Sequence, residues 1–177
     1  MNCVLVQELV QRIAAVVVAL ACGPLLAQTA AVEHVALAVR QIERLPADAE
    51  TRADPVKPTP EQFIAREKGG WPWLASKPVL IVNADIISAQ TVPAGANDAD
   101  DAPHLIRITL SPRARDGWNR TTRELVDKDI GVFLNDKLQG GITLRTAIGS
   151  GRLDFRVPGA SKAELQRLAA GLMKSPA

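Results

Sequence analysis

Residues 104–172 carry one unbroken series of structural signals, and this series constrains the fold more than any other stretch of the chain. Ile106, Ile108 and Leu110 alternate with Leu105, Arg107 and Thr109, as a half-buried strand requires. Ser111-Pro112 supplies a helix cap and a first-turn proline, and Ala114, Trp118, Thr121, Thr122 and Leu125 then line one face of a helix reaching Asp127. Ile130, Val132 and Leu134 alternate again before Asn135-Asp136-Lys137, where Asn and Asp tolerate the left-handed backbone of a tight turn. Residues 138–144 return as the second arm of a hairpin. In the next strand, Leu153, Phe155 and Val157 alternate with Arg152, Asp154 and Arg156. Ser161-Lys162-Ala163-Glu164 is a capping box, and Leu165, Leu168 and Leu172 form the apolar stripe of a last helix. The order strand, helix, strand, strand, strand, helix predicts an α+β domain, an antiparallel-rich sheet with two helices packed on one face. Trp118, Leu125, Leu165 and Leu168 are expected to bury against Ile106, Ile108, Val132 and Phe155, each contributing roughly 1.5–3 kcal/mol.

Upstream the signals are local and weaker. Residues 13–27 are apolar or small after a single Arg12, a 15-residue run broken by Gly23-Pro24. That is short of the roughly 20 residues a membrane span needs, so residues 1–27 read as a signal peptide cleaved after Ala27. Ala19-Leu20-Ala21-Cys22 offers an alternative, a lipid anchor on Cys22. Both cysteines, Cys3 and Cys22, fall in this segment, and no disulfide is predicted. In residues 28–46, Val32, Val35, Val39 and Ile42 fall at helical spacing with Glu33, Arg40, Glu43 and Arg44 largely opposite, predicting an amphipathic helix stopped by Pro46. Residues 47–77 read as a linker and a short helix, with Thr59-Pro60-Glu61-Gln62 as its cap and Gly69-Gly70 as its end. The α+β domain is placed at 78–174. It opens with a short strand at 78–82, a turn or single helical turn at 84–89 and a loop at 93–103.

Charge is uneven along the chain. Residues 28–103 hold 7 Lys/Arg against 11 Asp/Glu, and residues 104–177 hold 13 against 7, a net of +6 in the C-terminal part. Such a face suits acidic partners or anionic headgroups, although arginines scattered over helix and strand surfaces more often serve solvation. The chain lacks the interleaved aromatic and basic residues of a nucleic-acid platform, so nucleic-acid binding is not expected.

From residue 79 to residue 172 the chain resembles the head of the first periplasmic domain of the bacterial SecD/SecDF protein-export factors. The resemblance lies in Leu80-Ile81-Val82-Asn83-Ala84-Asp85-Ile86-Ile87-Ser88-Ala89, in Thr109-Leu110-Ser111 and in Thr121-Thr122-Arg123-Glu124-Leu125-Val126. It continues through Val132-Phe133-Leu134-Asn135-Asp136-Lys137-Leu138, Gly149-Ser150-Gly151 and Ala163-Glu164-Leu165. The resemblance implies a ferredoxin-like α+β head that moves on a base and holds polypeptide leaving the secretion channel. The family's six membrane spans have no counterpart in the sequence, so it implies a free-standing exported head rather than an export motor. Arg156-Val157-Pro158-Gly159 stands where the family has a Gly-Asn-aromatic run.

No catalytic constellation is visible. His34 and His104 have no companion Cys, Ser or carboxylate at a recognisable spacing. Asp98, Asp100 and Asp101 cluster without the glycine and distal glutamate of a calcium loop, and read as a solvated loop. No enzyme activity, metal or cofactor is expected. Trp71, Trp73, Arg107 and Phe133 are the candidate partner-contacting residues, since exposed tryptophans anchor interfaces. The reading is an exported, non-enzymatic protein that binds a peptide or protein partner in the cell envelope. The alternative is a structural envelope protein that self-associates through the helix at 31–45.

Overall fold

Two antiparallel sheets enclose one apolar core in this computed structural model, which describes residues 32–52, 54–95 and 103–174. The signal peptide, the anchor at Cys22 and the Asp98, Asp100 and Asp101 cluster lie outside the described residues. The larger sheet contains β1 (Leu37–Arg44), β2 (Gln62–Arg66), β3 (Pro72–Ser76), β4 (Ile81–Val82), β7 (Asp129–Leu134) and β8 (Lys137–Thr143). Its order is β2-β3-β1-β7-β8, with the short β4 pairing β1. The smaller sheet has the order β5-β6-β9, from β5 (Ile86–Pro93), β6 (His104–Leu110) and β9 (Arg152–Phe155). Helices α1 (Pro112–Glu124) and α2 (Lys162–Leu172) complete the described elements.

Alternation places Ile106, Ile108 and Leu110 of β6 and Leu153 and Phe155 of β9 on one face of the smaller sheet. Trp118 of α1 and Leu165 and Leu172 of α2 pack against that face, and Leu125 and Leu168 cover its margin. Leu37 and Val39 of β1, with Ile130, Val132 and Leu134 of β7, close the same core from the larger sheet. The eight side chains named from sequence therefore meet as expected. Ser111 Oγ accepts from the Ala114 amide at 3.2 Å, and Ser161 Oγ accepts from the Glu164 amide at 3.3 Å, capping both helices. The β7–β8 hairpin turns through Asn135 and Asp136 at φ of 48° and 61°, the left-handed pair that a two-residue turn demands.

Two expected helices are strands. The segment read as an amphipathic helix contains β1, which pairs β7 from Leu37↔Leu134 to Ile42↔Asp129 and β3 from Ile42↔Ala75 to Arg44↔Trp73. It is a central strand buried on both faces: Val39 faces one core and Ile42 a second, so its apolar residues escape simple alternation. The segment read as a short helix holds the β2–β3 hairpin instead. Its cap is real, because Gln62 Oε1 accepts from the Thr59 amide and hydroxyl, but it closes a single turn before the chain extends. Gly69 and Gly70, at φ of 125° and 89°, form the hairpin turn rather than a helix end. Residues 86–89, read as part of a turn, begin β5 after a 3-10 turn at Asn83–Asp85. The boundary at residue 78 also falls, since the compact unit begins at Val32 and strands on both sides of residue 78 share one sheet.

Candidate functional site

The larger sheet curls until its two edge strands, β2 and β8, approach each other without pairing. Phe63 on β2 and Phe133 on β7 are three strand spacings apart in the sheet order, roughly 14 Å if the sheet were flat. Their ring centroids are 5.9 Å apart, and β2 touches β8 at the other end of the order. Two glycines paired across β7 and β8 make the curl possible. A Cβ on Gly131 would lie 2.8 Å from Ile42 Cγ2, and one on Gly141 would lie 3.0 Å from the Trp73 ring. The concave side holds a second apolar cluster of Ile42, Ala65, Trp73, Ala75, Phe133 and Leu138.

A groove of about 800 Å³ opens from this concavity between the two edge strands. Phe63 and Phe133 line it, and the Arg40 guanidinium carbon stands 5.6 Å and 6.0 Å from their ring centroids. Arg40 is fixed there by an Nη1 bond of 3.3 Å to the Ser76 carbonyl. Stacking a cation on two aromatic faces contributes about 0.5–1 kcal/mol at each partly exposed site. Arg66, Lys68 and Lys137 at the rim outnumber Glu67 and Asp136, and Leu138 and Gln139 form the β8 side. Edge strands flanking an aromatic floor provide both backbone hydrogen-bonding groups and apolar contact for an extended chain.

The four residues named from sequence fall into three places. Trp71, 40% exposed, and the buried Trp73 share Arg44, whose guanidinium carbon lies 4.4 Å and 6.0 Å from their rings. Only Trp71 offers an outward surface; Trp73 fills the inside of the curl. Phe133 reaches the groove. Arg107 does not line it; on β6 of the smaller sheet its Nε and Nη2 donate to Asp154 at 2.8 Å and 2.6 Å. Hydrogen bonding to Asp154, then its charge, raises the Arg107 pKa against the smaller opposing effect of desolvation. Arginine is charged throughout the accessible pH range, so this shift makes no switch. Arg40 and Phe63, which stack with Phe133 in the groove, were hidden in segments that read as helices.

His34 precedes β1 and His104 opens β6, apart from the groove. Among the described residues, no group of three His, Cys, Asp or Glu is placed to hold a metal ion, and no helix is long and apolar enough to cross a membrane.

These features define an α+β domain of two antiparallel sheets and two helices, and its fold is SecD-like. The chain matches a structure described as "a membrane component SecDF that enhances protein export" at a TM-score of 0.55 and 14% identity, over 80% of this chain and 63% of that one. It matches SecDF "in Super-membrane-facing form" at 0.55 and 15% identity, over 80% of this chain and 19% of that one. The chain thus spans less than two-thirds of either. No protein-family model and no curated protein matches it.

Proposed function

We propose that this protein is an exported, non-enzymatic SecD-like module that holds extended polypeptide in the cell envelope, in the context of protein export or envelope assembly. The observation that carries the reading is the groove in which Arg40 covers Phe63 and Phe133 between two edge strands. A peptide there extends the sheet through backbone hydrogen bonds while its side chains meet the aromatic floor. The likeness to SecDF supplies the export context; residues 1–27 supply the targeting signal.

Self-association through a helix at 31–45 has no basis, because that segment contains the central strand β1. Replacing Lys137 at the groove rim by a photo-crosslinking residue tests the proposal, with Ile87, 56% exposed on β5, as the control position. Crosslinks to secretory polypeptides from 137 and not from 87 are expected, and Phe63→Ala should weaken binding of unfolded peptide about tenfold. Equal crosslinking from both positions, or no peptide binding by the intact protein, refutes the reading.

A further inference from the structure

The exposed side of α1 carries a second, differently built groove. Taking 100° per residue from Arg115, Asn119 lies at roughly 40°, Arg123 at 80°, Asp116 at 100° and Arg120 at 140°. All five therefore share one face, while Trp118 and Thr122 turn into the core. These five residues and Gly149, from the loop before β9, line a groove of about 330 Å³. That is the lower end of the range for small-ligand sites.

The groove is held open by its loop. Thr122 Oγ1 accepts from the Ile148 amide at 3.0 Å, and the Gly151 carbonyl accepts from the Leu110 amide at 2.8 Å. Two glycines let this loop lie against α1. A Cβ on Gly149 would stand 2.9 Å from Asn119 Nδ2, and one on Gly151, at φ +65°, would stand 2.7 Å from Arg115 Cγ. The loop thus lies in close contact with Arg115 and Asn119.

Its chemistry is lopsided. Three guanidiniums face one carboxylate, a net of two positive charges among the lining residues. The carboxylate, Asp116, is 3.9 Å from Arg115 Nε and strongly exposed, whereas Arg120 and Arg123 make no ion pair among the described residues. A small groove crowded with planar N–H donors and poor in acceptors fits a compact group carrying several acceptor oxygens and negative charge. Guanidiniums bind phosphate oxygens in bidentate fashion. We infer that the groove between α1 and the 145–151 loop is a phosphate-type oxyanion site, taking either a free phosphate ester or the headgroup of an anionic lipid.

The test uses the full chain at fixed ionic strength. Inorganic phosphate is titrated while the amide resonances of Asn119, Arg120, Arg123 and Gly149 are followed, and cosedimentation is measured with phosphatidylglycerol and with phosphatidylcholine vesicles. Saturable shifts confined to the groove, weakened at least tenfold in Arg120→Gln/Arg123→Gln and less than twofold in the double control Lys128→Gln/Arg167→Gln, are expected if phosphate itself is bound. Binding to phosphatidylglycerol vesicles alone, with the same dependence on Arg120 and Arg123, assigns the site to a lipid headgroup. Absence of both signals overturns the inference. So does equal weakening by the groove pair and the control pair, because that is the signature of net charge alone. Neither outcome bears on peptide binding in the aromatic groove.

Discussion

Asn83 ties together three segments that are distant in sequence. Its Oδ1 accepts from the Leu37 amide at 2.6 Å, and its Nδ2 donates to the Val35 and Leu172 carbonyls, both at 2.8 Å. One side chain thereby satisfies a carbonyl at the end of α2 and holds the strand that leads into β1. Replacing it by alanine leaves one donor and two acceptors short of partners in a half-buried place, where each orphaned group costs about 1–3 kcal/mol. Asn83→Ala should lose at least about 3 kcal/mol in urea denaturation, and Asn83→Asp at least as much at neutral pH, since its carboxylate keeps the acceptor for Leu37 but faces the Val35 and Leu172 carbonyls with no donor. A loss below about 0.5 kcal/mol for alanine would show that water replaces the side chain. Gly171 acts on the same junction by being small. A Cβ there would lie 2.5 Å from the Glu33 carbonyl oxygen and 2.6 Å from Val35 Cγ2. Alanine improves helix propensity by about 1 kcal/mol, but the clash involves backbone and overpacking costs typically 1–3 kcal/mol. Gly171→Ala is therefore expected to lower the melting temperature, with faster amide exchange at Val35, whose N–H bonds the Gly171 carbonyl. A raised melting temperature would mean the 33–35 segment yields freely.

At the scale of elements, the curl of the larger sheet depends on shape matching between strands. Gly131→Ala brings a methyl against Ile42 Cγ2 at 2.8 Å and Leu138 Cδ1 at 2.9 Å, with an expected cost of about 1–3 kcal/mol. Ile42→Ala alone leaves a cavity and costs about 2–5 kcal/mol. Combined, the methyl occupies part of that cavity, so the double variant should be more stable than the sum predicts by at least 0.5 kcal/mol. Additive values from urea denaturation would place the two residues out of contact. The same curl explains which elements the sequence reveals. β6, β9, α1 and α2 each present one face to the core and one to solvent, so alternation or a helical stripe exposes them directly. β1 buries Val39 on one side and Ile42 on the other, and its apolar residues fall by coincidence at helical spacing. Thr59 and Gln62 do form a cap, yet pairing of β2 with β3 overrides the local signal from Gln62 itself onward. The groove was hidden for the same reason. Phe133 stood in a recognisable strand, whereas Arg40 and Phe63 lay in segments whose strand character only long-range pairing creates.

At the scale of the whole molecule, the order of the larger sheet decides what can fold alone. A fragment of residues 78–174 contains every element that the sequence signals most clearly, but it lacks β1, β2 and β3. β1 lies between β3 and β7 in the sheet, so its loss exposes the edge of β7, a strand that buries five consecutive residues from Ile130 to Leu134. It also removes Val35, Leu37 and Val39 from the core shared with the helices. At roughly 1.5–3 kcal/mol for each large side chain, the three together approach the entire stability of a typical domain, about 5–15 kcal/mol. The new edge is long, apolar and uncovered, which favours pairing between copies. Residues 32–174 should therefore give a dispersed amide spectrum and one cooperative urea transition, whereas residues 78–174 should give collapsed dispersion, no cooperative transition and aggregation at micromolar concentration. A cooperative transition in the shorter fragment, with a midpoint close to that of the longer one, would show that the smaller sheet and two helices form a self-sufficient unit. The curled sheet would then be an accessory to that unit, and its groove would not depend on the core beneath it.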